Sequence, residues 1–199
     1  MNVLLATLSA AAVVAVPAPR ELPQSPSWRD GKFGPLAPGA TYAASLVDPR
    51  PTIRAMQPGW AGTQVVSHPA GKIRYESAVF LGHGGEIDLV GGPALTKSPQ
   101  EAIDWVWNRR YERPFGPLKS WRIAGRNAVA FDGTNTSGFE LTLVGRNPPE
   151  VQMDRGQSFR LAAFAVRGHT VVLAVRSFRL QAFLPRATRL LSSLRFPTT

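Results

Sequence analysis

Gln157–Val166 (QSFRLAAFAV) and Thr170–Ser177 (TVVLAVRS) are two apolar runs of strand length, and Arg167-Gly168-His169 separates them. Gly168 can adopt the positive φ that a two-residue hairpin turn requires. The two runs therefore predict a tight antiparallel hairpin, and both of its faces are apolar enough to be covered.

The turn fixes the register of this hairpin, since a slip of one residue would invert both faces. With Arg167 and Gly168 in the turn, the expected pairs are Val166–His169, Ala165–Thr170, Phe164–Val171, Leu161–Ala174, Arg160–Val175 and Phe159–Arg176. Arg160 and Arg176 should then point to opposite faces of the sheet.

A helix should follow the hairpin directly, because apolar residues recur at helical spacing after Ser177. They are Leu180, Phe183, Leu184, Ala187, Leu190, Leu191 and Leu194. We expect this helix to lie on the face that carries Ala163, Ala165, Val172 and Ala174, because small side chains permit a close approach.

Composition narrows the class of protein. The 199 residues fit one domain with extensions, and 23 Lys and Arg against 13 Asp and Glu give a net charge of +10. Acidic partners are therefore plausible, although the arginines are spread along the chain and form no nuclear-type basic tail. The absence of Cys excludes disulfides, thiol catalysis and Cys-based zinc sites.

The N-terminal part of the chain predicts export. Residues 1–18 contain an uncharged apolar run of signal-peptide length, although no Lys or Arg precedes it. A buried or anchoring helix is the alternative. Residues 19–38 are rich in proline and predict an extended, solvated linker. Residues 39–199 then form the folded domain.

That domain is predicted to be mostly strand. Short strands are expected at Thr41–Val47, Thr52–Met56, Thr63–Val66, Lys72–Leu81, Glu86–Val90, Ser120–Ile123, Asn127–Phe131 and Phe139–Val144. One helix is expected to start at Pro99, with Ser98 as N-cap and Glu101 completing a capping box, and to run to Arg109-Arg110. The pattern predicts an α+β fold with a single antiparallel sheet covered by helices on both faces.

A set of short motifs in this chain resembles those of a known family. They are Pro58-Gly59-Trp60, Ser98–Trp107, Arg122-Ile123-Ala124-Gly125-Arg126, Val166–Val172, Phe183-Leu184-Pro185 and Leu191–Phe196. Together they resemble the secreted actinobacterial proteins with a PsbP-like fold, a group similar to the LpqN-type lipoproteins. The resemblance covers roughly residues 39–197.

This resemblance implies a domain outside the cytoplasm that has no catalytic centre and serves as a binding or accessory module. The lipoprotein members carry a Cys that can be lipidated, and this chain has none, so lipid anchoring does not transfer. The resemblance brings no binding residues with it.

Three groups of residues resemble phosphate-binding, catalytic or metal sites, but none of them matches such a site fully. Gly91–Ser98 resembles a phosphate-binding loop, but Thr96 stands where the second glycine is required. His83-Gly84-Gly85 resembles an esterase oxyanion loop without the matching G-x-S-x-G serine. His83, Glu86 and Asp88, with His68 or His169, could ligate a metal, but a solvated turn is the better interpretation. We expect no cofactor and no enzymatic activity.

Two stretches remain as candidate ligand-binding residues. Trp105 on the first helix stands near Arg109 and Arg110, where an exposed ring beside two cations could bind an acidic or glycan ligand. Asp132 and Asn135 lie in a polar loop that could cradle a sugar or an anion, although a plain hairpin loop uses the same residues.

The sequence thus predicts a non-catalytic binding or accessory domain of the cell envelope, which we expect to be a monomer and at most peripheral to a membrane. Its partner is expected to be an acidic polymer, a lipid or a protein, and no nucleic acid is expected. The alternative is a carrier that encloses a lipid or another apolar ligand. A continuous apolar pocket would favour the carrier, and filled layers with a basic outer patch would favour the binding module.

Overall fold

The computed structural model describes residues 17–26, 31–67, 75–92, 95, 98–108, 115–136, 141–142, 150–151 and 153–197. The strands are β1 (Arg20–Glu21), β2 (Gln24–Ser25), β3 (Gly34–Pro35), β4 (Thr41–Ala43), β5 (Thr52–Arg54), β6 (Trp60–Ser67), β7 (Tyr75–Gly82), β8 (Gly85–Gly91), β9 (Lys119–Ile123), β10 (Arg126–Thr134), β11 (Leu141–Thr142), β12 (Glu150–Val151), β13 (Ser158–Val166) and β14 (His169–Ser177). The helices are α1 (Pro99–Trp107) and α2 (Leu180–Leu191).

The strands of the described residues form three sheets. The main sheet has nine strands in the order β2-β6-β7-β8-β14-β13-β10-β9, with β3 also paired to β6. All of its pairs are antiparallel except β2 with β6. Strands β1, β4 and β5 form a second sheet, and β11 and β12 form a third. The fold is α+β as predicted, but the prediction of a single antiparallel sheet is wrong, because the N-terminal segment adds parallel pairs.

The β13–β14 hairpin has the predicted register in every pair, from Val166–His169 to Phe159–Arg176. Arg167 and Gly168 form the turn with φ of 54° and 83°. Positive φ at both central residues matches the right-handed twist of the two strands. The turn chemistry alone was therefore enough to position eighteen strand residues relative to one another.

Each face of this hairpin packs against a different helix. The α2-side core contains Phe164, Val171, Leu173 and Val175 together with the apolar stripe of α2. The α1-side core contains Ala163, Val172 and Ala174 together with Ile103 and Val106 of α1.

The predicted face for α2 is therefore wrong. The small residues that let α2 approach lie elsewhere, because Ala128 and Ala130 of β10 and Ala162 of β13 line its core. Gly85 of β8 has the same effect, since a Cβ there would lie 2.5 Å from the ring of Phe183. Ala165, placed on the packed face by prediction, is exposed.

Helix α1 begins as predicted. Ser98 Oγ accepts from the backbone N–H of Glu101, and a Glu101 carboxylate oxygen accepts from the backbone N–H of Ser98 at 2.9 Å. Two orphan N–H groups of the first turn are thereby satisfied. The helix ends at Trp107 with Asn108 as C-cap. The predicted continuation to Arg109 and Arg110 lies outside the described residues.

The proline-rich segment is extended, but the described part is not a solvated linker. It supplies β1, β2 and β3, and Leu22 and Leu36 are buried. The buried amide of Gln64 on β6 helps to hold it, donating to Glu21 Oε1 at 2.6 Å and to Leu22 O at 2.9 Å. The same side chain accepts from the backbone N–H of Leu46. These hydrogen bonds join residues that are far apart in the sequence. They hold the segment against the sheet, although its proline content taken alone predicts a solvated chain.

No helix in the described part of the chain is both long and apolar enough to cross a membrane. The predicted signal peptide falls in residues 1–18, of which only 17 and 18 are described.

Candidate functional site

The structure does not bring the predicted binding residues together. Trp105 is half-buried and packs on the α1-side core. Asn135 is 1% exposed and serves the loop itself, since its Nδ2 donates to Met153 O at 2.7 Å. Asp132 points to the other face of the sheet, where α2 lies, because it is two and four residues along β10 from Ala130 and Ala128 of the α2-side core and so shares their face. Arg109 and Arg110 lie outside the described residues.

Asp132 is held by two cations on neighbouring strands. Its Oδ1 accepts from Arg160 Nε at 2.7 Å, and its Oδ2 accepts from Arg160 Nη2 at 2.9 Å and from Lys119 Nζ. Burial raises the pKa of the Asp132 carboxyl, but the hydrogen bonds and charges of Arg160 and Lys119 outweigh it and hold the pKa below its ordinary value. The guanidinium of Arg160 also lies 5.1 Å from the ring of Trp121. The carboxylate of Asp132 is therefore compensated, and two cations against one carboxylate leave the group with one net positive charge.

A cleft of about 600 Å³ opens beside this ion pair, at the start of α2. We call it the Phe178 cleft, and its lining includes Asp132, Thr134, Ser158, Phe178, Arg179 and Gln181. Thr134 and Ser158 face each other across β10 and β13, and their hydroxyl oxygens lie 3.0 Å apart. The side chain of Phe178 is 62% exposed, although it is a large apolar group. The cleft thus combines hydroxyl, carboxylate and amide groups with an open aromatic ring.

A second cleft, of about 480 Å³, lies on the other flank of α2 and includes His83, Arg179 and Arg186 in its lining. His83 has φ of 54°, and its Nδ1 lies 3.5 Å from Arg186 Nη1. Its ring packs edge-on against Trp60, with centroids 5.0 Å apart. His83 thus lies in the turn between β7 and β8, as predicted, but its ring is half-buried on the α2 side.

This position separates His83 from the carboxylates with which it could have bound a metal. Glu86 and Asp88 alternate with Ile87 and Leu89 of the α2-side core, so they point to the α1 side. The structure contains no group of three His, Asp or Glu side chains suited to a metal among the residues that it describes.

The third cleft, of about 430 Å³, lies between the C-terminal end of α2 and the β9–β10 turn. Its floor includes Trp121, Ile123 and Leu191, and Arg122 and Arg195 stand beside them. Arg195 Nη1 donates to Ser192 O and Leu194 O, which closes the end of the helix.

The outer surface that joins these clefts is basic. Its exposed arginines, which we call the α2 basic face, are Arg179, Arg186, Arg189 and Arg195. Residues 177–197 contain no Asp or Glu at all. Within the described chain, none of the four forms an ion pair with a carboxylate. The sequence could have revealed this face, because the same helical spacing that buries Leu180 and Phe183 places Arg186 and Arg189 outward.

A different charged cluster is buried on the α1 side. Arg176 of β14 is 5% exposed, and its Nη2 donates to Glu86 Oε1. Its Nε lies 3.1 Å from Asp88 Oδ2, at an angle outside the hydrogen-bond range, so this contact is an ion pair only. The carboxyl groups of Glu86 and Asp88 lie close enough for each to affect the pKa of the other. Sequence reasoning missed this cluster, because only the pairing of β8 with β14 brings the three residues together.

Burial dominates the ionisation of this cluster. It raises the pKa of Glu86 to about 8, and the charge of Asp88 adds to the effect while Arg176 opposes it. Burial also raises the pKa of Asp88. One proton shared by the two carboxyls therefore leaves one negative charge against Arg176, and the cluster is neutral overall.

The comparisons with known proteins add one distant neighbour. No family model matches the chain, and no curated protein matches it. The chain is similar to the solution structure of cyanobacterial PsbP (CyanoP) from Synechocystis sp. PCC 6803. The two are 13% identical, with 84% of this chain and 98% of the other covered and a TM-score of 0.45. PsbP is also the fold family that the sequence motifs resemble, but a likeness this distant assigns neither family nor function to the chain.

Proposed function

We propose that this chain is a non-catalytic binding module of the cell envelope, outside the cytoplasm, and that it binds acidic polymers through the α2 basic face. The observation that carries the proposal is the concentration of exposed arginines on α2 and the adjoining turn, with no acidic residue in residues 177–197.

The arrangement of the other charges supports this choice of surface. Asp132 pairs with both Lys119 and Arg160, which leaves one net positive charge in that group, and the α1-side cluster is neutral by itself. The arginines of the α2 basic face have no such compensation among the described residues, so they create a positive field that extends into solvent. A polyanion gains from several of these charges at once, although each exposed pair contributes little on its own.

The alternative, a carrier of an apolar ligand, has one observation in its favour. The cleft at the C-terminal end of α2 has an apolar floor of Trp121, Ile123 and Leu191. However, arginines stand beside that floor, and packed side chains fill both cores of the sheet. These features favour a surface that binds charged groups over one that encloses an apolar molecule.

The proposal is tested with polygalacturonate as the acidic probe. We expect the affinity to fall steadily as salt is raised, because screening shortens the reach of exposed charges. Arg189→Gln should weaken binding by roughly two- to five-fold at low salt, as expected for one exposed ion pair. Lys32→Gln is the matched control, since it removes an equally exposed charge near the far edge of the sheet. Equal effects of the two substitutions, or affinity that does not change with salt, would show that the α2 basic face is not the binding surface.

A further inference from the structure

The Phe178 cleft has a composition that charge attraction alone does not explain. An arginine face needs no hydroxyl pair and no exposed aromatic ring to attract a polyanion. Phe178 is nevertheless the most exposed of the large apolar side chains in the described chain, ahead of Met56 at 53% and Leu118 at 39%. The lining of its cleft also includes Asp132, Thr134, Ser158 and Gln181, whose polar groups we call the polar wall. Exposed apolar area beside convergent polar groups is typical of a ligand site.

The polar wall suits a ligand that both donates and accepts hydrogen bonds. The hydroxyls of Thr134 and Ser158 each do both, and so does the amide of Gln181. Asp132 uses three of its roughly four acceptor positions on Arg160 and Lys119, which leaves one for a ligand. Sugar hydroxyls have this dual character, whereas phosphate oxygens only accept.

The charge at the cleft fits an acidic sugar better than a phosphate. Asp132 is already neutralised by its two cations, but it still places carboxylate oxygens on the wall and so disfavours a dense anion against it. Arg179 is the only charged residue of the lining besides Asp132. One carboxylate on a sugar ring can therefore reach Arg179 while its hydroxyls meet the polar wall and its C–H face meets Phe178.

We propose that the Phe178 cleft binds one unit of a uronic-acid polysaccharide, and that this cleft, not the arginines alone, selects the polymer. This inference rests on the proposed function, because the α2 basic face would hold the rest of the chain. The cleft volume of about 600 Å³ lies within the range of roughly 300–1,000 Å³ that is usual for ligand pockets.

The test compares two anionic probes by calorimetry at low salt: tetragalacturonate, and tripolyphosphate, which is also strongly anionic but carries no sugar hydroxyls. We expect Phe178→Ala to weaken tetragalacturonate binding by roughly three- to ten-fold, as for the loss of one aromatic contact. The double substitution Thr134→Val with Ser158→Ala should weaken it by a similar factor, as for one or two lost hydrogen bonds. Neither change should affect tripolyphosphate. Arg189→Gln should weaken both probes alike.

The double substitution should also leave the stability of the fold nearly unchanged, so that a loss of binding can be assigned to the cleft. The two hydroxyls bond to each other, so removing both leaves neither without its partner, and thermal unfolding should change little. If the cleft variants bind tetragalacturonate as the parent does while Arg189→Gln weakens it, the cleft inference is overturned and the proposed function stands. Equal loss of both probes in the cleft variants would also overturn it, in favour of a plain phosphate or anion site. If neither probe binds the parent protein, both proposals fail.

Discussion

Replacing Glu86 by Gln tests whether the buried cluster around Arg176 holds a proton at neutral pH. Glutamine is a permanent copy of the protonated acid, since its oxygen can accept from Arg176 and its amide can donate to Asp88. Glu86 is 19% exposed and Asp88 9% exposed by side chain, so solvent screens them weakly. The substitution therefore changes the ionisation of the cluster with little change in shape.

The expected size of the effect follows from the two pKa values of Glu86. Its pKa is about 8 in the folded chain against an ordinary value of 4.5, so the folded state binds the proton more tightly. The resulting stabilisation is complete below pH 4.5 and is lost as pH rises through about 8. At about 1.4 kcal/mol for each pH unit, the ceiling is about 5 kcal/mol. Partial exposure and coupling to Asp88 reduce this, and we expect roughly 2–3 kcal/mol.

The measurement is the free energy of unfolding in urea at acidic, neutral and mildly alkaline pH. At about pH 5, Glu86→Gln should match the parent within about 1 kcal/mol, because both are neutral there. At about pH 8.5 the variant should be the more stable by roughly 2–3 kcal/mol, since only the parent must give up its proton. Glu101→Gln is the control: it makes the same chemical change on an exposed carboxylate, and Gln also completes a capping box.

One result would refute this reasoning. If Glu86→Gln is less stable than the parent at alkaline pH, then Glu86 is ionised and forms a true ion pair with Arg176. The same conclusion follows if the two proteins lose stability in parallel as pH rises. The difference between variant and parent isolates Glu86 from the other titrating groups of the chain.

Two further predictions concern the N-terminal part of the chain. Gln64→Ala should destabilise the fold by roughly 1–3 kcal/mol in urea unfolding, because it leaves the backbone N–H of Leu46 and the carbonyl of Leu22 without their partner. The control is Gln24→Ala, at an exposed position of the strand that pairs with Gln64. Equal effects of the two substitutions would count against the role of the buried amide. The exported protein should begin between Ala15 and Arg20, because small residues there precede the proline-rich segment; mass spectrometry that finds intact Met1 on exported protein would contradict this.

Local chemistry accounts for the parts of the fold that the sequence predicts well. The register of the β13–β14 hairpin depends on Arg167 and Gly168, and the start of α1 depends on Ser98 and Glu101. In both cases the deciding atoms lie within a few residues of each other. The face chosen by α2 depends instead on Ala128, Ala130 and Gly85 from strands distant in sequence. No pattern within the hairpin contains that information.

The pairing of the proline-rich segment with the sheet was not predicted either, because the residues that hold the segment are also distant from it in sequence. Proline disfavours regular strands, so residues 19–38 look like a linker when taken alone. Their partner is β6, whose Gln64 and Val65 pair with Gln24 and Ser25. Backbone hydrogen bonds, the buried amide of Gln64 and two buried leucines, Leu22 and Leu36, together order a segment that has no strong preference of its own.

Charged side chains are buried and paired on the α1 side of the main sheet and exposed on the α2 side, and this contrast is the basis for the proposal that α2 carries the binding surface. On the α1 side, Arg176 is buried with two carboxyls and is neutralised within the fold. On the α2 side, the helix buries its leucines and leaves Arg186 and Arg189 in solvent. A charge that is paired within the protein affects the stability of the fold. An exposed charge without an opposite charge beside it attracts oppositely charged molecules from solution. The sequence predicted a ligand site at Trp105 of α1, but the rings of Trp105 and Trp107 pack against the α1-side core. The second helix carries the charges that remain available to an acidic ligand.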